Sequence, residues 1–185
     1  RRLLRVEADD APPVVGFLSG NGIVARFLEK YYENEDPTPA DAARLLLRGS
    51  LSALVGGRLA RELVRPYVGA VVVDGERLSH ERWTAVAIGS VEQMGLGFRV
   101  FHGTVGHLES FQVVALGGSI ADLARELPSL YRGRGVHRPK DSVHLVGELL
   151  LEADEPIPMM VDGDFYRADR GRVRITLGPT VDFVT

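Results

Sequence analysis

The sequence of 185 residues contains no cysteine. Disulfide frameworks, thiolate catalysis and cysteine-ligated zinc are therefore excluded. No apolar run approaches the roughly 20 residues of a membrane-spanning helix, and the charged N-terminal residues are not followed by the apolar core of a signal peptide. These absences predict a cytoplasmic protein, and they leave peripheral attachment to a membrane surface open.

Lysine is also scarce, and nearly all the basic residues are arginine. The chain has only two lysines, Lys30 and Lys140, and its formal net charge is -3 with a pI near 6.0. A dedicated nucleic-acid-binding protein usually carries a basic field, so we predict no nucleic-acid partner. The length fits one domain spanning residues 1–185, which is long enough to bury a substantial core.

The clearest local pattern that is present lies between Met159 and Gly178. Asp162-Gly163 between apolar runs predicts a tight hairpin turn, because Gly163 adopts positive φ easily and aspartate tolerates it. Arginine and threonine then alternate with apolar residues from Arg172 onwards, which is typical of a strand with one wet face. Asp164, just past the turn, is the first carboxylate that we consider for catalysis, against the alternative of a solvated turn residue.

Three segments have helical patterns. Ile23 to Tyr32 is predicted as a helix, and Thr38-Pro39-Ala40-Asp41 is typical of a capping box that opens a second one. A broad leucine-rich stripe then runs to Val64, with an expected break at Gly56-Gly57. The second helix either covers a sheet or presents a lipid groove, and we favour the covering role. Ser119 to Asp122 predicts a third helix, through Leu127 and ended by Pro128.

Most of the remaining segments are predicted to be strands. We expect the Asp74-Gly75 turn to join Val68–Val73 to Arg82–Ile88 in a hairpin that echoes the one at Asp162. Further strands are predicted at residues 1–7, 14–19, 98–101, 111–116, 143–152, 157–162, 173–177 and 181–184. The predicted fold is mostly β with helical insertions (α+β), in two layers.

Three clusters could carry chemistry. Gly95 and Gly97 surround Leu96 but lack the rest of a dinucleotide fingerprint, so a close turn is the simpler interpretation. His102 and His107, with Glu109 close behind, could form a metal or acid-base cluster. Without a third clear ligand, solvated loop histidines are the simpler interpretation, and no metal site is predicted. A basic, glycine-rich loop could hold phosphate or meet anionic lipid, or be a solvated loop; its charges are Arg132, Arg134, Arg138 and Lys140.

The order of several motifs resembles the C-terminal half of the diacylglycerol kinase catalytic-domain family, which includes bacterial lipid kinases and sphingosine kinases. Residues 17–25 are similar to the family's phenylalanine-leucine-asparagine run and the glycine-phenylalanine-aspartate-alanine that follows. Residues 88–90 and 95–97 are similar to an asparagine followed by three glycines. Residues 131–137 and Val161-Asp162-Gly163-Asp164, where the family usually has valine-aspartate-glycine-glutamate, complete the resemblance.

This resemblance implies an elaborated β-sandwich that pairs with an N-terminal nucleotide-binding domain, absent from this chain. The implied reaction is transfer of the ATP γ-phosphoryl group to a lipid hydroxyl with Mg²⁺, both bound mainly by that other domain. It also implies that Asp164 is the catalytic carboxylate that orients the hydroxyl or accepts its proton, that Gly95, Gly97 and Ser90 contact the cofactor, and that the arginines of the basic loop contact substrate or phosphate.

The sequence departs from the family pattern at an important position. An aspartate that organises the metal and catalytic site in the family falls near Leu108, where only His107 or Glu109 could substitute. The alternatives are therefore a catalytically inactive module of the same fold that binds lipid or nucleotide or forms a homodimer, and an NAD kinase-like enzyme.

Overall fold

The structure is a computed structural model that describes residues 1–33, 38–63, 66–95, 97–136 and 138–182. Four predicted features fall partly or wholly outside these ranges, namely Val64 of the leucine stripe, Leu96, His137 and the end of the strand expected at 181–184. Val181 and Asp182 are described and belong to no strand, because the last strand ends at Thr180.

Two six-stranded antiparallel sheets form a sandwich, which confirms the predicted mostly β fold with helical insertions. The first sheet has the order β2-β1-β14-β11-β5-β6, formed by Val14–Gly16, Arg2–Ala8, Arg172–Thr180, Glu148–Glu152, Ala70–Val73 and Glu76–Arg77. The second has the order β10-β9-β8-β3-β12-β13, formed by Asp141–Val146, Phe111–Leu116, Ala85–Gly89, Leu18–Gly22, Ile157–Val161 and Asp164–Ala168. A separate ribbon pairs β4 (Tyr67–Val68) with β7 (Arg82–Trp83).

Within the described ranges, four α-helices join this scaffold: α1 (Ile23–Tyr31), α2 (Pro39–Leu54), α3 (Arg58–Leu63) and α4 (Ile120–Tyr131). The capping boxes predicted at Thr38 and Ser119 both form, since each side chain accepts the N–H of the aspartate three residues on, Asp41 or Asp122. Each aspartate bonds back to the N-cap backbone, which satisfies N–H groups that a helix start otherwise leaves unpaired.

The inner strands of the second sheet are buried on both faces. One face packs on the first sheet, in a core that contains Val86, Ile88, Phe111 and Met159 together with Leu4, Val73, Leu149 and Ile175 from the other layer. The opposite face, with Ala87, Val114 and Met160, packs beneath α1 and α4. The outer face of the first sheet is polar instead, and Arg174 bonds Glu148 across two neighbouring strands there.

Some predicted connections are wrong. The hairpin expected between Val68–Val73 and Arg82–Ile88 forms only in part, since Val68 pairs with Arg82 in the separate ribbon. The Asp74-Gly75 turn itself joins β5 to the short β6, and Ala85–Gly89 lies in the other sheet. The segment predicted as one strand at 143–152 is two strands in different sheets that separate at Gly147. Alternation fixes which face of a strand is buried, but it does not identify the neighbouring strand.

Two local predictions also fail. Residues 98–101 form no strand, and the chain continues into a 3-10 helix, His102–Thr104, before β9 begins. Pro128 lies inside α4, which continues to Tyr131. A proline in a helix removes one hydrogen bond, and here packing of Leu130 in the core beneath the helix offsets that loss.

Candidate functional site

The six strands of the second sheet all reach the same end of the sheet. β8, β10 and β12 end there while β3, β9 and β13 begin, because Gly89 pairs with both Leu18 and Gln112, Val146 pairs with Phe111, and Val161 pairs with Ser19 and Asp164. We call this edge the Asp162 end. Loops at the end of a rigid sheet are common positions for binding and catalytic groups.

Asp162 braces this end. Its backbone has φ 48°, and its carboxylate accepts the N–H of Phe17 at 2.9 Å and that of Leu18 at 2.8 Å. Its own N–H donates to the carbonyl of Leu18 at 3.0 Å. Gly16 permits this approach, since a Cβ there would lie 2.7 Å from the Asp162 carboxylate. The sequence analysis treated Asp162 only as a turn residue, although an aspartate in a tight turn often bonds backbone N–H groups.

Ser90 is the second part of the same brace. It is buried, and both its N–H, at 3.0 Å, and its hydroxyl, at 3.4 Å, donate to the carbonyl of Phe17. Phe17 is therefore held from β8 by its carbonyl and from the Asp162 turn by its N–H. Ser90, which the resemblance predicts as a cofactor contact, thus binds the backbone of Phe17 within this domain.

An apolar groove of about 940 Å³ opens between the second sheet and the helices. Its floor includes Ala87, Val114 and Met160, its walls come from α1, α2 and α4, and Asp162 and Gly163 line one part of its edge. The walls are almost entirely aliphatic and aromatic, with Phe27, Leu28, Leu45, Leu46, Leu123 and Leu127 among them. Such a groove suits an elongated apolar ligand.

Aromatic side chains surround the groove. Tyr32 and Phe165 form an edge-to-face pair with ring centroids 6.3 Å apart, next to the Asp162-Gly163 turn. Phe98 and Tyr131 form a second such pair at 5.3 Å. Tyr32, Phe165 and Tyr131 are all about half exposed. No local sequence pattern predicts these residues as neighbours, because their segments are distant in the chain.

Asp164 is exposed at the start of the edge strand β13. It pairs with Val161, whose side chain packs in the core between the sheets, so alternation places Asp164 on the opposite face from Phe165. No hydrogen bond or ion pair engages its carboxylate within the described part of the chain. Asp164 thus lies two residues from the braced turn, at the Asp162 end but outside the groove lining.

The histidine and glutamate candidates lie further away. His107 and Glu109 are in the exposed loop before β9, and the Glu109 carboxylate accepts a hydrogen bond from Arg2 at 2.8 Å. β9 and β13 are four strand spacings apart, about 19 Å at the usual spacing. The fold therefore brings Glu109 to the same end of the sheet as Asp164 without placing the two carboxylates in one cluster.

Gly95 lines the groove, and Gly97 faces the ring of Tyr131, which lies 3.5 Å from the position of an added Cβ. Both have positive φ, 51° and 78°, so the predicted close turn is present. Their neighbour Leu96 is outside the described residues. Gly95 therefore borders the groove, and a cofactor-binding role for the two glycines stays a prediction.

The predicted phosphate-binding arginines are separated. Arg132 and Gly133 follow α4 at the Asp162 end, where a Cβ on Gly133 would lie 3.2 Å from that of Arg99. Arg132 and Arg134 are exposed and form no ion pair with other described residues. Arg138 instead donates to Asp122 at 2.6 Å and to Glu126 at 3.1 Å, near the start of α4.

The carboxylates near the start of α4 have shifted pKa values with clear causes. Hydrogen bonds from the side chain and backbone of Ser119, with a smaller contribution from the charge of Arg138, lower the pKa of Asp122. Burial raises the pKa of Asp141, which accepts the N–H of Gly117 at 3.0 Å. These carboxylates serve the helix start and the entry to β10, which is the opposite end of the sheet from Asp162.

No magnesium site is evident in the part of the chain that the structure describes. Among the described residues, no three histidine, aspartate or glutamate side chains come close enough to hold a metal ion. None of the helices in those ranges combines the length and apolar composition that crossing a bilayer requires.

No model of a known protein family matches the chain, and no curated protein matches it in sequence. Solved structures do match its fold. A diacylglycerol kinase from Bacillus anthracis str. Sterne has a TM-score of 0.54 at 9% identity, over 96% of this chain and 50% of that one. Two further structures from the same strain, provisionally assigned as diacylglycerol kinases, have TM-scores of 0.59 and 0.60 at 11% and 9% identity, over 96% of this chain and 53% and 54% of theirs.

The chain spans about half the length of each of these structures. Identities of this size show a shared fold and carry no residue roles. The chain therefore has the fold of bacterial diacylglycerol kinase-like lipid kinases over about half of their length, which is consistent with the C-terminal domain expected from the sequence.

Proposed function

We propose that this chain is the lipid-side, C-terminal domain of an ATP-dependent lipid kinase, which transfers the γ-phosphoryl group to the hydroxyl of a diacylglycerol-like or sphingoid lipid. The observation that carries the proposal is the apolar groove of about 940 Å³ with the Asp162-Gly163 turn at its edge. The shared fold with diacylglycerol kinases supports it independently.

The groove supplies the lipid specificity in this proposal. Binding of a hydrocarbon chain to its apolar walls is favourable because both surfaces are removed from water. The walls provide few hydrogen-bonding groups for a polar molecule. The hydroxyl of the lipid remains at the edge of the groove, near the Asp162 end. An NAD kinase-like activity gains no support from walls of this kind, because its substrate is polar.

Asp164 has the catalytic role in this proposal. Phosphoryl transfer needs an aligned hydroxyl and a carboxylate that orients it or accepts its proton. Asp164 is exposed and free of ion pairs within the described residues, so its carboxylate is available to a hydroxyl presented between this domain and a second one. Asp162 cannot take this role without releasing Phe17 and Leu18.

The residues of this chain do not fit a magnesium site by themselves, as no cluster of metal-ligating side chains occurs in the described ranges. We therefore propose that Mg²⁺ and most contacts with ATP belong to a nucleotide-binding domain outside this chain. Arg132 and Arg134 are this chain's candidates for phosphate contact, because they are exposed near the Asp162 end without ion-pair partners among the described residues. Arg138 is a poorer candidate because it binds Asp122 and Glu126.

The test is phosphorylation by the full gene product, supplied with Mg²⁺, labelled ATP and a panel of lipid alcohols. We expect labelled lipid phosphate from at least one alcohol. Ala53→Phe, which narrows the groove from the inner face of α2, should raise KM for the lipid, while Ala43→Phe, on an exposed position of the same helix, should not. Absence of product with every lipid tested rejects the kinase assignment.

One observation favours a second candidate, a catalytically inactive lipid-binding module. The groove is built by this chain alone, whereas Glu109 is bonded to Arg2 and lies far from Asp164. Such a module should bind a fluorescent lipid alcohol, lose that binding in Ala53→Phe, and transfer no phosphate in the full gene product.

A further inference from the structure

Helix α2 has two apolar faces. Its inner face, with Ala42, Leu45, Leu46 and Ala53, lines the groove. On the other side of the helix, Leu47, Leu51 and Leu54 are 61%, 57% and 50% exposed. Their spacing of four and three residues places these leucines on one stripe of the helix surface. A helix that is apolar on opposite sides is expected to have an apolar neighbour on each side.

Positive charge borders the exposed stripe. Arg44 and Arg48 lie one turn apart on its flank, and both are exposed. Arg48 forms no ion pair with any other described residue. The only acidic residue of α2 is Asp41, which accepts hydrogen bonds at the N-cap from Thr38 and pairs with Arg44 at 3.1 Å.

The same imbalance continues into α3, which contributes two arginines and one glutamate. The hairpin of α2 and α3 therefore has an excess of arginine, although the chain as a whole has a formal net charge of -3. Leucine beside an excess of arginine is the composition of a helix that lies in the interface of an anionic membrane.

We propose that this stripe, the α2 outer face formed by Leu47, Leu51 and Leu54 with Arg44 and Arg48 on its flank, docks on a bilayer that contains anionic lipid. The leucines enter the boundary between headgroups and acyl chains, and the two guanidinium groups bind lipid phosphates. The inference does not depend on kinase activity, because it uses the side of α2 that faces away from the groove.

The charge of the α2 outer face favours a bilayer over a second copy of the chain as its binding partner. In a two-fold dimer the same patch lies on both partners, so the arginines of one copy would lie close to those of the other. Asp41 pairs with Arg44, and α2 has no further acidic side chain to compensate Arg48. An anionic bilayer supplies the missing negative charge and an apolar interior at once.

The experiment is sedimentation of the purified chain with vesicles of phosphatidylcholine, with and without phosphatidylglycerol. Leu51→Ser should lower partitioning at least tenfold on both vesicle types, because it removes an apolar contact. Arg48→Gln should lower it about fivefold on the anionic vesicles alone. Leu108→Ser is the matched control, since Leu108 is 55% exposed in a loop far from α2.

Thermal unfolding of each variant, and binding of a water-soluble fluorescent lipid alcohol in the groove, show whether fold and groove are intact. The proposal is supported if Leu51→Ser and Arg48→Gln reduce vesicle binding while the groove stays intact, and if Leu108→Ser binds vesicles as well as the parent protein does. It is overturned if the chain ignores anionic vesicles, if Leu108→Ser matters as much as Leu51→Ser, or if Leu51→Ser instead dissociates a dimer seen by light scattering.

Discussion

Two Asp-Gly turns, Asp162-Gly163 in the second sheet and Asp74-Gly75 in the first, use the same local chemistry. Each aspartate has positive φ, 48° and 46°, and donates its N–H at 3.0 Å to a carbonyl of another segment, that of Leu18 or Glu148. Each carboxylate accepts N–H groups from that same segment. Both turns therefore tie a hairpin to an adjacent strand.

The two turns differ in their surroundings. A Cβ on Gly75 would meet no atom within 4 Å, whereas one on Gly163 would lie 3.3 Å from the hydroxyl of Tyr32. Gly163 also lines the apolar groove. The comparison shows that the Asp-Gly motif determines the local hydrogen bonds to the neighbouring strand. Its contribution to function depends on the surface that the fold places beside the turn.

The largest difference between the two turns should be the effect on kcat of replacing the carboxylate just after each turn. Asp164 and Glu76 occupy equivalent positions, two residues after the turn aspartate, and both are exposed. We expect Asp164→Asn to lower kcat of the full gene product about 10²- to 10⁴-fold, since it removes the proposed proton acceptor. Glu76→Gln should leave kcat unchanged. The measurement is initial rate against lipid concentration at saturating Mg²⁺-ATP.

Equal rates for Asp164→Asn and the parent protein would remove the catalytic role of Asp164 and leave the lipid-binding module as the better assignment. Folding does not confound this test, because no hydrogen bond in the described residues depends on the Asp164 carboxylate. Urea denaturation of both variants provides the control.

The next difference should be in stability. Asp162 uses both carboxylate oxygens, because Phe17 donates to each and Leu18 donates to one. Asp74 uses only Oδ1, for the N–H groups of Gly147 and Glu148, and an asparagine retains one such oxygen. Asp162→Asn should therefore cost about 1.5–3 kcal/mol in free energy of unfolding, against about 0.5 kcal/mol for Asp74→Asn.

Urea denaturation monitored by circular dichroism measures both values. Binding of a fluorescent lipid alcohol sharpens the comparison, because only the Asp162 turn borders the groove. Similar losses of stability in both variants, with lipid affinity unchanged in both, would contradict the distinct role of the Asp162 brace.

A smaller difference is expected at the glycines. Gly163 has φ 102° and Gly75 has φ 84°, so an alanine at either position is strained by about 1–3 kcal/mol. Gly163→Ala should cost a few tenths of a kcal/mol more, since its methyl group approaches the hydroxyl of Tyr32 and the ring must shift. Tyr32→Phe should recover this excess in Gly163→Ala and have no effect in Gly75→Ala. A double-mutant cycle in urea measures it.

The smallest expected effect is the coupling energy of one side-chain pair near each turn. The edge-to-face pair of Tyr32 and Phe165 should have a coupling energy of about 0.5–1.5 kcal/mol. The exposed pair of Arg77 and Glu81, at 2.8 Å, should contribute about 0.2–1 kcal/mol. The salt dependence of the coupling energies distinguishes the two pairs, because high ionic strength weakens the ion pair and leaves the aromatic pair unchanged. Coupling at Arg77 that resists salt would contradict this assignment.

Local signals predicted the local structure well. The capping boxes at Thr38 and Ser119 and the turn at Asp162 depend on residues within four positions of one another, and all three form as expected. Pro128 is an exception because tertiary packing outweighs the loss of one helical hydrogen bond. The resemblance to a lipid kinase domain predicted the sandwich fold, which the structure confirms.

Strand neighbours were predicted less well. Residues 85–89 follow the Asp74-Gly75 turn along the chain, yet they lie in the other sheet, and the strand expected at 143–152 divides between both sheets. Pairing over long separations depends on how all buried faces pack at once, and no short pattern records it. The aromatic pairs around the groove were not predicted for the same reason.

The sequence by itself determined where helices start, where the chain turns, and that one face of most strands is buried, because these depend on caps, positive-φ residues and alternation within a few positions. Only the tertiary structure decided that Asp162 braces Phe17, that Glu109 lies far from Asp164, and that α2 exposes one apolar face while the other lines a groove. The physical reason is that a site forms from residues distant in the chain, whose positions are fixed by the packing of whole sheets and helices.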